Sequence, residues 1–138
     1  MNVCVVNRTK KESPFIDEYY PLNELDAALS KADIVIVAIA LTDETRKLMN
    51  SERFAAMKEG AVFINAARGA LVDEAALTDA LREKLYGAAL DVFEVEPLPD
   101  DSPLWQIENL LISPHNSFVG ENNHARLMNV VMQNLKNR

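Results

Sequence analysis

The sequence predicts an α/β fold, a doubly wound parallel sheet flanked by helices. Two patterns point there. Short apolar runs rich in Val, Ile and Phe, with little polar alternation, suit strands covered on both faces. Between these runs, Leu and Val recur at three- and four-residue spacing, the mark of helices that bury one stripe. The two patterns alternate along the chain, which calls for parallel strands joined by right-handed crossovers.

In chain order, strands are expected at Val3 to Val6, Ile34 to Leu41, Ala61 to Ala66, Gly87 to Phe93 and Leu110 to Ile112. Leu22, Leu25 and Leu29 form the first helical stripe. Ser51 to Met57 suits a second helix, with Ser51 as N-cap and Gly60 closing the turn into the next strand. Leu77 and Leu81 mark a third, and Leu127, Val131 and Leu135 a fourth, where Met128 and Met132 widen the stripe into a packing surface. Glu94 to Pro103, rich in proline and acid, reads as an exposed loop. Phe93 and Trp105 read as packing residues, and His124, in a polar helical stretch, as a surface residue.

Composition bounds the function. At 138 residues and 49% hydrophobic, the chain can bury one core. A net charge of -7 argues against a nucleic-acid binder, which needs surplus Lys and Arg to neutralise phosphates. The single cysteine, Cys4, rules out an intrachain disulfide or a Cys-based metal cluster and suits a reducing cytoplasm. The longest apolar run, near Ile34 to Leu41, is too short to cross a bilayer, and no secretory signal is expected at the N-terminus.

Three stretches carry a more specific signal. Leu41-Thr-Asp-Glu-Thr45 is followed by Leu48-Met-Asn50 and Met57-Lys-Glu-Gly60. Next comes Ile64-Asn-Ala-Ala-Arg68-Gly-Ala-Leu-Val-Asp73-Glu-Ala-Ala-Leu77. Last is Gly87-Ala-Ala-Leu-Asp91-Val-Phe-Glu-Val-Glu96-Pro-Leu-Pro, leading to Ser102-Pro-Leu-Trp105 and Ile112-Ser-Pro-His115. In this order and spacing the chain resembles the nucleotide-binding domain of the D-isomer-specific 2-hydroxyacid dehydrogenases, and the resemblance covers most of its length. It implies a Rossmann-like sheet and a hydride-transferring oxidoreductase, of the D-2-hydroxyacid dehydrogenase or glyoxylate/hydroxypyruvate reductase type, acting on a small 2-keto or 2-hydroxy acid with NADP or NAD.

The chain also departs from that pattern. Such folds open with a strand, a G-x-G-x-x-G turn and a helix whose N-terminus holds the pyrophosphate. Glycines occur only at 60, 69, 87 and 120, so this motif is missing, and the opening strand resembles the second of the usual 3-2-1-4-5-6 order. Residues 1–138 are therefore expected to form a partial dinucleotide-binding domain without its first strand and glycine loop, and without a substrate domain. Two sheet edges would then face a gap, to be closed by the sheet itself, by the missing N-terminal segment or by another chain such as a homodimer partner. Asn116-Ser117-Phe118 stands where the family has a Gly-Gly step after the histidine, and Ala40 where it commonly has proline.

Reduction of a 2-keto acid needs a carboxylate anchor, a proton source and a hydride donor held against the carbon. By resemblance, Arg68 is the substrate anchor, its planar fork gripping the carboxylate. His115 is the acid/base, and Glu96 orients its ring. Taken singly, each has a plainer reading: a surface ion-pair partner, a Pro-His turn and a solvated carboxylate. What favours the site is that all three are expected at or beyond the C-terminal ends of parallel strands, where open α/β sheets bind ligands.

For the cofactor, the resemblance implies Asp91 at the nicotinamide carboxamide and the backbone of Ala66 and Ala67 beside the nicotinamide ribose. Asp91 could equally be a turn or capping residue. At the end of the first strand stand Asn7, Arg8 and Thr9, followed by Lys10 and Lys11, where an NAD-type fold usually has an acid. An Arg there can take a 2'-phosphate, so NADP is favoured over NAD. Two rival readings remain: a dinucleotide-sensing, corepressor-like binding protein on the same fold, and an inactive fragment of the enzyme.

Overall fold

The structure, a computed structural model, describes residues 1–10, 12–117 and 119–136. Its six strands are β1 (Cys4–Val6), β2 (Glu18–Tyr20), β3 (Ile34–Val37), β4 (Val62–Asn65), β5 (Gly87–Leu90) and β6 (Leu110–Ile112). Four α-helices intervene or follow: α1 (Leu25–Leu29), α2 (Ser51–Ala56), α3 (Glu74–Glu83) and α4 (Asn123–Lys136). All strand pairing is parallel, as the alternating pattern requires. The fold is α/β and Rossmann-like.

The strands form two sheets, β1-β2 and β3-β4-β5-β6. The edges of β1 and β3 are therefore not joined, and an apolar cleft lined by Cys4, Val6, Leu25, Leu29, Ile34 and Ile36 runs between them. This is the gap expected from the strand order, and the sheet does not close over it.

Strand β2 was not foreseen. Its three residues, Glu-Tyr-Tyr, are too few to show a period, and they are held by register with β1 and by Asp17, whose carboxylate accepts the Val3 N–H at 2.7 Å. The cap of α2 also differs from the expected one. Asn50, not Ser51, occupies the extended N-cap position, and its side chain accepts the Arg53 N–H at 3.1 Å. Gly60, at φ +72, closes that turn as expected.

The core lies on one face of the larger sheet. Phe63 of β4 meets Phe54 of α2 edge-to-face at 5.1 Å, among Met57, Leu71, Leu77 and Leu104, all nearly inaccessible to water. Each such ring contributes about 1.5–3 kcal/mol on burial. The opposite face departs from the expected two-sided cover: Ile36 and Leu111, in line across Ile64 and Ala89, stay exposed among the described residues. Helix α4 also leaves its apolar stripe uncovered, with Leu127, Val131 and Leu135 exposed. Its expected packing role is thus not exercised within the described chain. No helix among the described residues is long and apolar enough to cross a membrane.

Candidate active site

The candidate site is assembled on the loops that follow the C-terminal ends of β4, β5 and β6. Asn65, the last residue of β4, is buried, and its amide organises the turn that follows: Oδ1 accepts the Ala67 N–H and Nδ2 donates to the Arg68 carbonyl, each at 3.0 Å. Ala66 and Arg68 project from this turn into solvent, with Ala67 half-buried. Among the described residues, the Arg68 guanidinium bonds only the neighbouring Ala67 carbonyl, at 2.6 Å. Its fork is thus largely free to meet a carboxylate.

The turn after β5 ends in Glu96. One carboxylate oxygen accepts the Phe93 N–H at 3.0 Å, closing the turn, and the other lies 2.7 Å from Nδ1 of His115. That bond to His115, with the Phe93 N–H, holds the Glu96 carboxyl below the usual carboxylate range. Gly69, next to Arg68, packs directly on the Phe93 carbonyl: an added Cβ would fall 1.9 Å from its carbon and oxygen. The Arg68 and Glu96 loops are therefore in backbone contact.

His115 follows β6 with φ +51, a left-handed conformation uncommon outside glycine. Asp91 accounts for how it is held. Its carboxylate accepts the Ser113 hydroxyl and the N–H groups of Asn116 (2.9 Å) and Ser117 (3.0 and 3.1 Å), clamping the loop on both sides of the histidine. Burial raises the pKa of this carboxyl, but the Ser113, Ser117 and Asn116 donors outweigh it and leave it well below the usual carboxylate range. Asp91 does act as a turn residue, one of the two roles open from sequence. Asn116 and Ser117, the departure from the glycine step, supply the N–H groups it binds; Phe118 lies outside the described residues.

The remaining expected contacts lie at the ends of β1 and β3. Asn7 turns its side-chain oxygen onto the Arg8 N–H at 2.8 Å, and Arg8 pairs with Glu44. Thr9 and Lys10 are exposed beside them, and Lys11 lies outside the described residues. A cleft of about 540 Å³ opens here, with Val6, Asn7, Arg8, Ala38, Ile39 and Thr45 in its wall. Its shape is set by Thr45, whose hydroxyl donates to the Ala40 carbonyl at 2.9 Å and accepts the Thr42 N–H at 2.8 Å. Ala40, where proline is usual, thus still closes a bonded turn.

The structure brings Glu96 and His115 into contact and sets Arg68 on the adjoining loop; Asn7, Arg8 and Thr9 stand on a separate stretch of the same rim. Sequence reasoning missed Asn65, Thr45 and Ser113. A polar residue at the end of an apolar run is the signal that marks the first and would have found it.

Residues 1–117 match the model of the D-isomer specific 2-hydroxyacid dehydrogenase NAD binding domain. The chain belongs to this family. Over 132 residues it is 40% identical to a glyoxylate/hydroxypyruvate reductase B from Escherichia fergusonii, covering 94% of this chain and 40% of that protein. Among solved structures, a family member from Xanthobacter autotrophicus Py2 in complex with NADPH and MES shares 50% identity, with a TM-score of 0.79, over 83% of this chain and 36% of that one. An NADPH-dependent glyoxylate/hydroxypyruvate reductase from Sinorhizobium meliloti, in complex with NADP and sulfate, shares 33% identity with a TM-score of 0.83, over 98% of this chain and 44% of that one. The chain thus spans less than half the length of these relatives.

Proposed function

We propose that this chain is the nucleotide-binding and acid/base part of a reductase that converts a small 2-keto acid to its 2-hydroxy acid. The observation that carries the reading is the 2.7 Å contact between Glu96 and His115 at the strand ends, with Arg68 on the adjoining loop, its guanidinium bonding only the Ala67 carbonyl among the described residues. With Nδ1 given to Glu96, His115 keeps Nε2 for substrate and can deliver a proton there to the developing alkoxide. Arg68 grips the substrate carboxylate and polarises the neighbouring carbonyl. In the oxidative direction His115 takes the proton back.

A bound reduced nicotinamide dinucleotide supplies the hydride. The residues present fit such a group. The cleft beside β1 combines apolar walls with the Arg8 cation, a donor for an adenosine carrying a 2'-phosphate, and the exposed Lys10 follows two residues on in the chain. NADP is favoured over NAD on that ground, and the relatives solved with NADPH and NADP agree with it. The Glu44 partner of Arg8 is an exposed one, which a phosphate can displace at little cost. Asn7 and Thr9 flank Arg8, Ala66 and Ala67 offer backbone at the nicotinamide ribose, and Asp91 is assigned to the carboxamide beyond its work on the loop. Glyoxylate, hydroxypyruvate and branched keto acids are the candidate substrates. The reaction suits the reducing, cytoplasmic setting that the exposed thiol of Cys4 also favours.

The test is to mix the chain with NADPH or NADH and glyoxylate or hydroxypyruvate and follow the absorbance of reduced nicotinamide. The expected result is oxidation that Arg68→Ala and His115→Ala sharply reduce. Oxidation at the same rate in both variants would remove the site from the reaction.

A further inference from the structure

Glu74 begins α3, away from the reacting groups, and its carboxylate turns back to accept the Glu94 N–H at 2.7 Å. A weaker bond returns the other way, from the Glu74 N–H to Glu94 at 3.4 Å. Glu94 lies two residues before Glu96, in the turn that Glu96 itself closes on the Phe93 N–H. Successive N–H groups of this turn are thus held by different carboxylates, Phe93 by Glu96 and Glu94 by Glu74. Lys47 completes the clasp, 3.4 Å from both Asp73 and Glu94, and its own N–H bonds the Ala70 carbonyl at 2.8 Å. The segment from Arg68 to Glu74 is therefore strapped to the Glu96 turn at its far end, while Gly69 meets Phe93 at its near end.

Burial, and then the charge of Glu94, push the Glu74 carboxyl above its ordinary range, with the Glu94 N–H opposing them. We propose that Glu74 is a positioning residue of the candidate site: by holding the Glu94 N–H it fixes the turn that presents Glu96 to His115. The inference rests on the reading of Glu96 and His115 as the working pair.

The test reads the Glu96 carboxyl by carbon-detected NMR across a pH titration, in the full chain without cofactor or substrate. The Glu74 carboxyl is held above the ordinary range and that of Glu96 below it, so Glu74 carries little charge where Glu96 titrates, and a rise in the Glu96 midpoint reports a loosened contact with His115 or with the Phe93 N–H. In Glu74→Ala the midpoint is expected to rise by roughly half a pH unit or more towards the ordinary value. Glu74→Gln, whose amide oxygen can accept the same N–H, is expected to keep the midpoint at or slightly below that of the unmodified chain. If Glu74→Ala does not fold, Glu74→Ser serves in its place, since serine suits the first turn of a helix but cannot reach Glu94. An unshifted or lowered midpoint in the folded Ala or Ser variant overturns the proposal, as does a Gln variant that rises with them. Because no turnover is measured, a chain without reductase activity leaves this result standing, and failure here leaves the proposed reaction to its own assay.

Discussion

Replacing Gly69 with alanine tests whether the Arg68 and Glu96 loops are as tightly joined as the structure describes. The added Cβ would lie 1.9 Å from the carbonyl carbon and oxygen of Phe93 and 2.5 Å from the Glu94 nitrogen. That is roughly 1.5 Å inside an ordinary carbon contact. The obstructing atoms are backbone in a buried place, so no side-chain rotation relieves the clash and one loop has to move. Overpacking typically costs 1–3 kcal/mol when side chains can adjust, so about 3 kcal/mol or more is expected. Urea unfolding reads this as a midpoint lower by about 1 M or more at an unchanged slope. Gly60→Ala is the control. A Cβ added at Gly60 would meet nothing within 4 Å, and only the φ of +72 opposes the change, for a cost of about 1 kcal/mol. A Gly69→Ala midpoint equal to that of Gly60→Ala would refute the argument that these loops are in backbone contact.

Asp91→Asn removes the charge that gathers Ser113, Asn116 and Ser117, and is expected to cost about 1–3 kcal/mol by urea unfolding. The folded carboxyl titrates below its unfolded value near 3.9, so its contribution is full above that pH and is lost as pH falls through the folded value; the variant should therefore show a flatter loss of stability below about pH 4. Arg8→Ala is expected to lower the preference for NADPH over NADH by about tenfold, and Glu44→Gln, which releases Arg8, to raise it, both by calorimetric titration. Arg68→Ala should change stability by no more than about 0.5 kcal/mol, since among the described residues the guanidinium bonds only the Ala67 carbonyl, yet lower kcat/KM for a keto acid by about a hundredfold.

The parallel layer was legible because apolar runs and helical stripes alternate strongly, and all five expected strands formed. The last, β6, formed over its whole run, and the other four formed shorter than theirs: β3 stops at Val37, although the apolar run continues to Leu41, because the chain there turns onto Thr45. Strand β2 escaped because a three-residue strand has no period to read. The contact of Glu96 with His115 was legible only through resemblance, since 19 residues and a whole strand separate them and no spacing rule predicts a meeting at that distance. The expected two-sided cover was not met among the described residues, because an apolar run signals burial without saying which element supplies it.

The candidate site residues and the residues that hold them divide cleanly by burial. Arg68, Glu96 and His115 are exposed, as groups that meet a substrate must be, and none is fixed by packing its own side chain into the core. Their supports are the buried polar side chains at the strand ends, Asn65 as the last residue of β4 and Asp91 just after β5, each spending most of its hydrogen bonds on loop backbone. Thr45 does the same for the turn after β3. A polar group in such a place costs free energy unless satisfied, and no buried side-chain nitrogen or oxygen among the described residues lacks a partner. The satisfied groups therefore act as sockets: the sheet fixes the socket, the socket fixes the loop, and the loop carries the chemistry. On this argument, conservative changes at the sockets should alter the geometry of His115 and Arg68 more than equal changes in apolar core volume do, because a core methyl touches many neighbours weakly whereas each socket bond constrains one loop directly.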